Sequence, residues 1–155
     1  MKSKFKNAYM QTAKIFADLS YSRITQEGAI VVKDDRIVSI GFNGMPAGWD
    51  NDCENIVGYK TANEPVYKTK PEVLNATMNA LMKLAKSSDS GTNAAIFVTH
   101  APCLDSAKGI YQAGITEVYY ETELENTSGI DFLKKCKITI ERIDNTTTNP
   151  YNIAI

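Results

Sequence analysis

Histidine is almost missing from this chain. His100 is the only one, so any imidazole chemistry has to use it. Cysteine is scarce too: Cys53, Cys103 and Cys136 are an odd number with no C-x-x-C pair, which argues against a disulfide framework and for a reducing compartment. No apolar run approaches the length of a membrane span, and the opening MKSKFKNAYMQTAK lacks the apolar core of a secretion signal. A cytoplasmic protein without membrane contact is expected. Nor is charge of either sign in excess. Seventeen basic residues against eighteen acidic leave a net charge of -1, without the clustered Lys and Arg that a nucleic-acid duplex requires. A single nucleotide is not excluded, because a few local donors can hold it. What is present is ordinary for a folded globular protein: 43% hydrophobic and 23% charged residues, in 155 residues, enough for one domain.

Periodicity divides the chain into alternating elements. Phe5, Tyr9, Phe16 and Leu19 return to one face of a helix over 5–19. Residues 28–33 and 36–42 read as a hairpin turning at Asp34-Asp35, and the apolar character of both faces of its first strand predicts a sheet covered on both sides. Residues 43–70, rich in Gly, Asn, Pro and charge, read as an extended loop. A second helix is predicted from Pro71 through EVLNATMNALMKLAKSS, burying Leu74, Met78, Leu81 and Ala85. Then follow a strand over 93–99, a helix over roughly 103–113 stopped by Gly114, a strand over 116–121, a helix over 129–136 and a strand over 137–143. The polar residues from about 143 to 155 read as a C-terminal arm. This order implies a single α/β domain over 1–155: a three-layer α/β/α sandwich on a five-stranded mixed sheet with a leading helix.

Two segments carry the chemistry: Leu74-Asn75-Ala76-Thr77-Met78-Asn79-Ala80-Leu81, and Thr99-His100-Ala101-Pro102-Cys103-Leu104-Asp105-Ser106-Ala107-Lys108. Zinc-dependent nucleotide deaminases carry H-x-E on one helix and P-C-x-x-C at the start of the next. Two thiolates one helical turn apart and a facing imidazole leave a fourth zinc position for water, which the metal activates at neutral pH. The Glu then shuttles protons. Together with Ala8-Tyr9-Met10, Gly28-Ala-Ile-Val-Val-Lys-Asp34, Arg36-Ile-Val-Ser-Ile-Gly-Phe-Asn-Gly-Met-Pro46, Gly48-Trp-Asp-Asn51, Ile110-Tyr-Gln-Ala-Gly-Ile115 and Glu117-Val-Tyr-Tyr120, these segments make the chain resemble the bacteriophage-type deoxycytidylate (dCMP) deaminases along nearly its whole length.

The departures fall on the chemistry. Asn75 stands where that family has His, Thr77 where it has the proton-shuttling Glu, and Ser106 where it has the second Cys; only Cys103 remains. The expectation is a deaminase-like fold with no metal site, no zinc or other cofactor, and no catalysis. Other residues take a ligand role from the resemblance. Asn43 and Gly44 match the family segment that helps hold the sugar, although a turn alone would explain them. Ser22 and Arg23 are candidates for phosphate, or for simple solvation. His100 and Ala101 lie on the pocket loop, where the imidazole either contacts a base or a rescue metal or makes a structural hydrogen bond. Glu27 occupies a position that is apolar in the family, which puts the family's preferred nucleotide in question. Cys53 reads as a surface thiol and Cys136 as core. Tyr111, Tyr119 and Tyr120 read as core or subunit packing. The resemblance further implies a homo-oligomer, usually a hexamer. The function expected is binding of a nucleotide or nucleotide-derived signal without turnover, in its most specific form a phage sponge for a host immune messenger. Two alternatives stand beside it: a dCMP deaminase with residual or rebuilt activity, and a structural subunit partnering an active deaminase.

Overall fold

In the computed structural model, which describes residues 1–144, the chain runs α1 (Ser3–Ala17), β1 (Gly28–Lys33), β2 (Arg36–Phe42), β3 (Glu54–Thr61), β4 (Glu64–Thr69), α2 (Ala76–Ala85), β5 (Ala95–His100), α3 (Leu104–Gln112), β6 (Glu117–Thr122), α4 (Ser128–Lys135) and β7 (Thr139–Arg142). Five strands form one mixed sheet in the order β2-β1-β5-β6-β7. β1 is antiparallel to both neighbours, and β5, β6 and β7 are parallel. The hairpin turn uses Asp34 and Asp35, both at positive φ (50° and 57°), the backbone hand that matches strand twist.

The alternation of β1 explains the layers. Ala29 and Val31 face a core shared with α2, α3 and α4, whereas Ile30 and Val32 face Met10 and Ala13 of α1 with Phe97 and Tyr119. Both faces are therefore covered, which is the α/β/α sandwich expected. Two glycines let the helices seat directly on the sheet. A Cβ on Gly28 would lie 2.0 Å from the carbonyl oxygen of Ala13, and one on Gly41 would lie 2.3 Å from that of Ala76.

Several expectations need correction. Residues 43–70 are not a loop throughout: β3 and β4 pair as an antiparallel hairpin forming its own two-stranded sheet. Ile56, Val57 and Tyr59 are exposed on it, so no buried face imposes the alternation that reveals a strand. α2 begins at Ala76 rather than Pro71, because Leu74 is drawn into an isolated antiparallel bridge with Gly44 and Asn75 caps the helix. Its buried face is Ala76, Thr77, Ala80, Leu81 and Leu84; Leu74 and Ala85 are exposed. On α1 the buried residues are Met10, Ala13 and Ala17, with Tyr9 and Phe16 partly buried, and Phe5 and Leu19 face outward. Cys53 is fully buried, not a surface thiol, and Cys136 is only half-buried at the end of α4. Tyr119 and Tyr120 are core, but Tyr111 is exposed and meets Phe132 edge-on. Ile143 is buried with its N–H on the carbonyl of Tyr120, so the expected arm starts beyond it and otherwise lies outside the described residues. No described helix is long and apolar enough to cross a membrane.

Candidate functional site

Four chain ends converge on one side of the sheet: the approach to β1, the N-terminus of α2, the C-terminal end of β5 and the N-terminus of α3. They enclose a cavity of about 130 Å³ whose wall includes Glu27, Asn75, Thr77, His100, Cys103 and Ser106. A second cavity of about 200 Å³ adjoins it, lined by Ser22, Thr25, Asn43 and Thr69, and sharing Glu27 and Asn75 with the first. Each is smaller than the roughly 300–1,000 Å³ that encloses a drug-sized ligand.

The residues at the degenerate motif satisfy one another. Asn75 is the N-cap of α2, its Oδ1 accepting from the Met78 N–H at 2.8 Å. The same oxygen accepts from the Ser106 hydroxyl at 3.2 Å, and the Cys103 thiol donates to Ser106 Oγ at 3.3 Å. Thr77 is buried beside them. An amide oxygen already holding two donors, a neutral hydroxyl and one thiol form a poor ligand set for zinc, which favours thiolates and imidazole. Among the described residues, no group of three or more His, Cys, Asp or Glu side chains is arranged to hold a metal ion. These residues do not fit the zinc site that the motif implies.

His100 ends β5 with Nδ1 3.1 Å from the Thr99 hydroxyl, which itself accepts the Gly28 N–H at 3.0 Å. The Thr99 hydroxyl thus links the His100 ring to the first residue of β1. Asn43 is buried and works on the chain rather than into open space: its Oδ1 accepts from the Glu27 N–H at 2.8 Å and its Nδ2 donates to the Thr25 carbonyl at 2.7 Å. Gly44 exchanges both backbone hydrogen bonds with Leu74. Ala101 is buried on the cavity wall. Burial pushes the Glu27 carboxyl above its ordinary pKa, while nearby His100 pulls it down.

Ser22 and Arg23, the candidates for phosphate, are engaged by carboxylates. Glu54, whose side chain is wholly buried, accepts the Ser22 hydroxyl at 2.8 Å, the Arg23 N–H at 3.0 Å and the Arg23 guanidinium at 3.3 Å. The guanidinium also binds Asp52 and holds its carboxyl below the usual range. Ser22 lines the second cavity; Arg23 is not on its wall. Glu54 escapes sequence reasoning because β3 resembles a loop, and Thr25 and Thr69 carry no motif. Glu54→Ala should cost about 2 kcal/mol of stability in chemical denaturation, since three donors lose a charged acceptor. Glu54→Gln should cost less.

Comparison with known proteins agrees with this architecture. The model of the cytidine and deoxycytidylate deaminase zinc-binding region matches residues 3–122. An uncharacterized deaminase of Aliivibrio fischeri is 36% identical over 139 residues, covering 87% of this chain and 81% of that protein. Human deoxycytidylate deaminase is 32% identical over 159 residues, covering 92% and 87%. Among solved structures, the dCMP deaminase of cyanophage S-TIM5 in complex with dCMP and dUMP is 41% identical, with a TM-score of 0.81 over 92% of this chain and 99% of that one. With its α/β/α layers and a family model matching over most of its length, the chain belongs to the cytidine and deoxycytidylate deaminase family.

Proposed function

We propose that this protein binds a nucleotide across its two joined cavities and does not deaminate it. The observation that carries this reading is the hydrogen-bonded set Asn75, Ser106 and Cys103, with Thr77 beside it, where the family's chemistry needs metal ligands and a carboxylate. Acid–base assistance alone is worth about 10²–10⁴-fold, and loss of an activated hydroxide compounds it. A nucleotide ligand is supported by the S-TIM5 structure, which holds dCMP and dUMP. Binding without turnover suits sequestration, because hydrolysis would release what is held. Its most specific form is a phage-encoded sponge for a nucleotide immune messenger, acting as a homo-oligomer of up to six chains.

The test combines three measurements on purified protein. Elemental analysis should find far less than one zinc per chain. Incubation with dCMP should release no ammonia, and bound nucleotide should be recovered intact after heat denaturation. About one tightly held zinc per chain, or turnover in the ordinary range of about 1–10³ per second, would overturn the reading in favour of an active deaminase. Native mass spectrometry reports the oligomer and any retained messenger together.

A further inference from the structure

Among the described residues, Glu27 is the only acidic side chain on the walls of the two cavities, and it stands where they meet. Its backbone is fixed from both sides by Asn43, whose side chain accepts the Glu27 N–H at 2.8 Å and whose own N–H donates to the Glu27 carbonyl at 3.1 Å. The carboxyl therefore projects from an anchored root. Yet among the described residues its carboxyl has no hydrogen bond and no ion pair, and His100 is the one side chain that acts on it electrostatically. Asn75 Oδ1, Ser106 Oγ and Cys103 Sγ are hydrogen-bonded to one another, and His100 Nδ1 lies within hydrogen-bond distance of the Thr99 hydroxyl. A half-buried carboxyl with no protein partner is left to solvent, and a ligand that fills the cavity has to replace that solvent with a partner of its own.

We propose that Glu27 is the base-reading residue of this site, pairing through its carboxyl with the edge of an aminopyrimidine that presents a ring nitrogen beside an exocyclic amino group. The inference rests on the nucleotide-binding reading above and deepens it. A carboxyl sharing one proton offers a donor and an acceptor side by side, and that edge offers the complementary acceptor and donor. The proton is shared with a basic ring nitrogen, which makes the pair charge-assisted. An oxopyrimidine lacks that basic nitrogen, so it pairs only with a fully protonated carboxyl. The motif would place a carboxylate at position 77 on α2; Glu27 reaches the same cavity from the approach to β1. Recognition has a carboxyl again, from a different element, without an activated water to attack what it holds. The other titratable groups facing it are His100 from β5 and Cys103 from the start of α3; α2 contributes only Asn75 and Thr77, and the second cavity adds none.

Titration calorimetry with dCMP and dUMP at pH 7, on the parent, Glu27→Gln and Glu27→Val, tests this. The parent should bind dCMP about tenfold more tightly than dUMP, and Glu27→Val should weaken dCMP by about tenfold or more and level the two ligands. Glu27→Gln presents the same donor and acceptor pair, so it should stay within a few-fold of the parent for dCMP. Equal binding of dCMP and dUMP by the parent, equal binding of dCMP by the parent and Glu27→Val, or a loss in Glu27→Gln as large as in Glu27→Val would each overturn the assignment. If dCMP binds but ignores position 27, only this inference falls. If no nucleotide binds the folded parent, the proposed function falls with it.

Discussion

The triple variant Asn75→His, Thr77→Glu, Ser106→Cys should bind about one zinc ion per chain where the parent is expected to hold none. Positions 103 and 106 lie one turn apart at the N-terminus of α3, with Cys103 as its N-cap, and a helix N-terminus favours thiolate. Position 75 already faces them, since its side chain hydrogen-bonds Ser106. The variant sacrifices the Asn75 cap, worth about 1 kcal/mol. Structural zinc sites bind with an apparent ~10–16 kcal/mol, which outweighs that loss many times over. Each single reversion should do little, because ligands and proton shuttle act as a unit. Deaminase activity should return less completely than the metal, since Thr77→Glu brings a second carboxylate into a buried position, in a small cavity that already holds Glu27. Elemental analysis reads the first result and ammonia release the second. A folded triple variant without zinc would mean that the cavity has been rebuilt beyond these three side chains.

A single added methyl group at Gly41 is expected to cost much of the stability. Its Cβ would lie 2.3 Å from the Ala76 carbonyl oxygen and 2.4 Å from the Ala80 nitrogen, both backbone atoms of α2. Neither can rotate away, so the helix must retreat from the sheet across a close-packed core that resists it. Gly41→Ala should cost about 3 kcal/mol, at the upper end for overpacking, or ~10 °C in the unfolding temperature. Ala76 and Thr77 move with the helix, so nucleotide affinity should fall as well. Gly58→Ala is the control: nothing lies within 4 Å of its Cβ, and its effect should stay within about 0.5 kcal/mol. Thermal unfolding of both variants separates a steric cause from a general intolerance of alanine for glycine.

What could be read from the sequence followed from burial. β1 and β5 are apolar on both faces and sit in the middle of the sheet, so their residues announce them. The start of α2 did not, because its position is set by a long-range bridge between Gly44 and Leu74 that no local propensity encodes. The hairpin of β3 and β4 stayed hidden for the opposite reason: it buries too little for its pattern to be constrained. At the site, the altered motif residues were legible and do share one cavity. That Ser22 and Arg23 would direct their donors to Glu54 was not, since the three come together only through the folded chain. The same holds for Asn43, whose side chain braces residues 25–27.

The bridge between Gly44 and Leu74 also has an architectural consequence. It pinches the chain so that everything between these residues is a side branch, and the residues just outside the pinch, Asn43 and Asn75, are both on the cavity walls. Closing the neck removes most of the dependence of the site on the length of the branch, because loop-closure entropy grows only slowly with added residues. Glu54 ties down the root of the branch, whereas its tip near Ala62 and Asn63 is exposed and joins only β3 to β4. The tip is therefore where the chain can accept an inserted tag, a reporter domain or a protease site while the two asparagines keep their places.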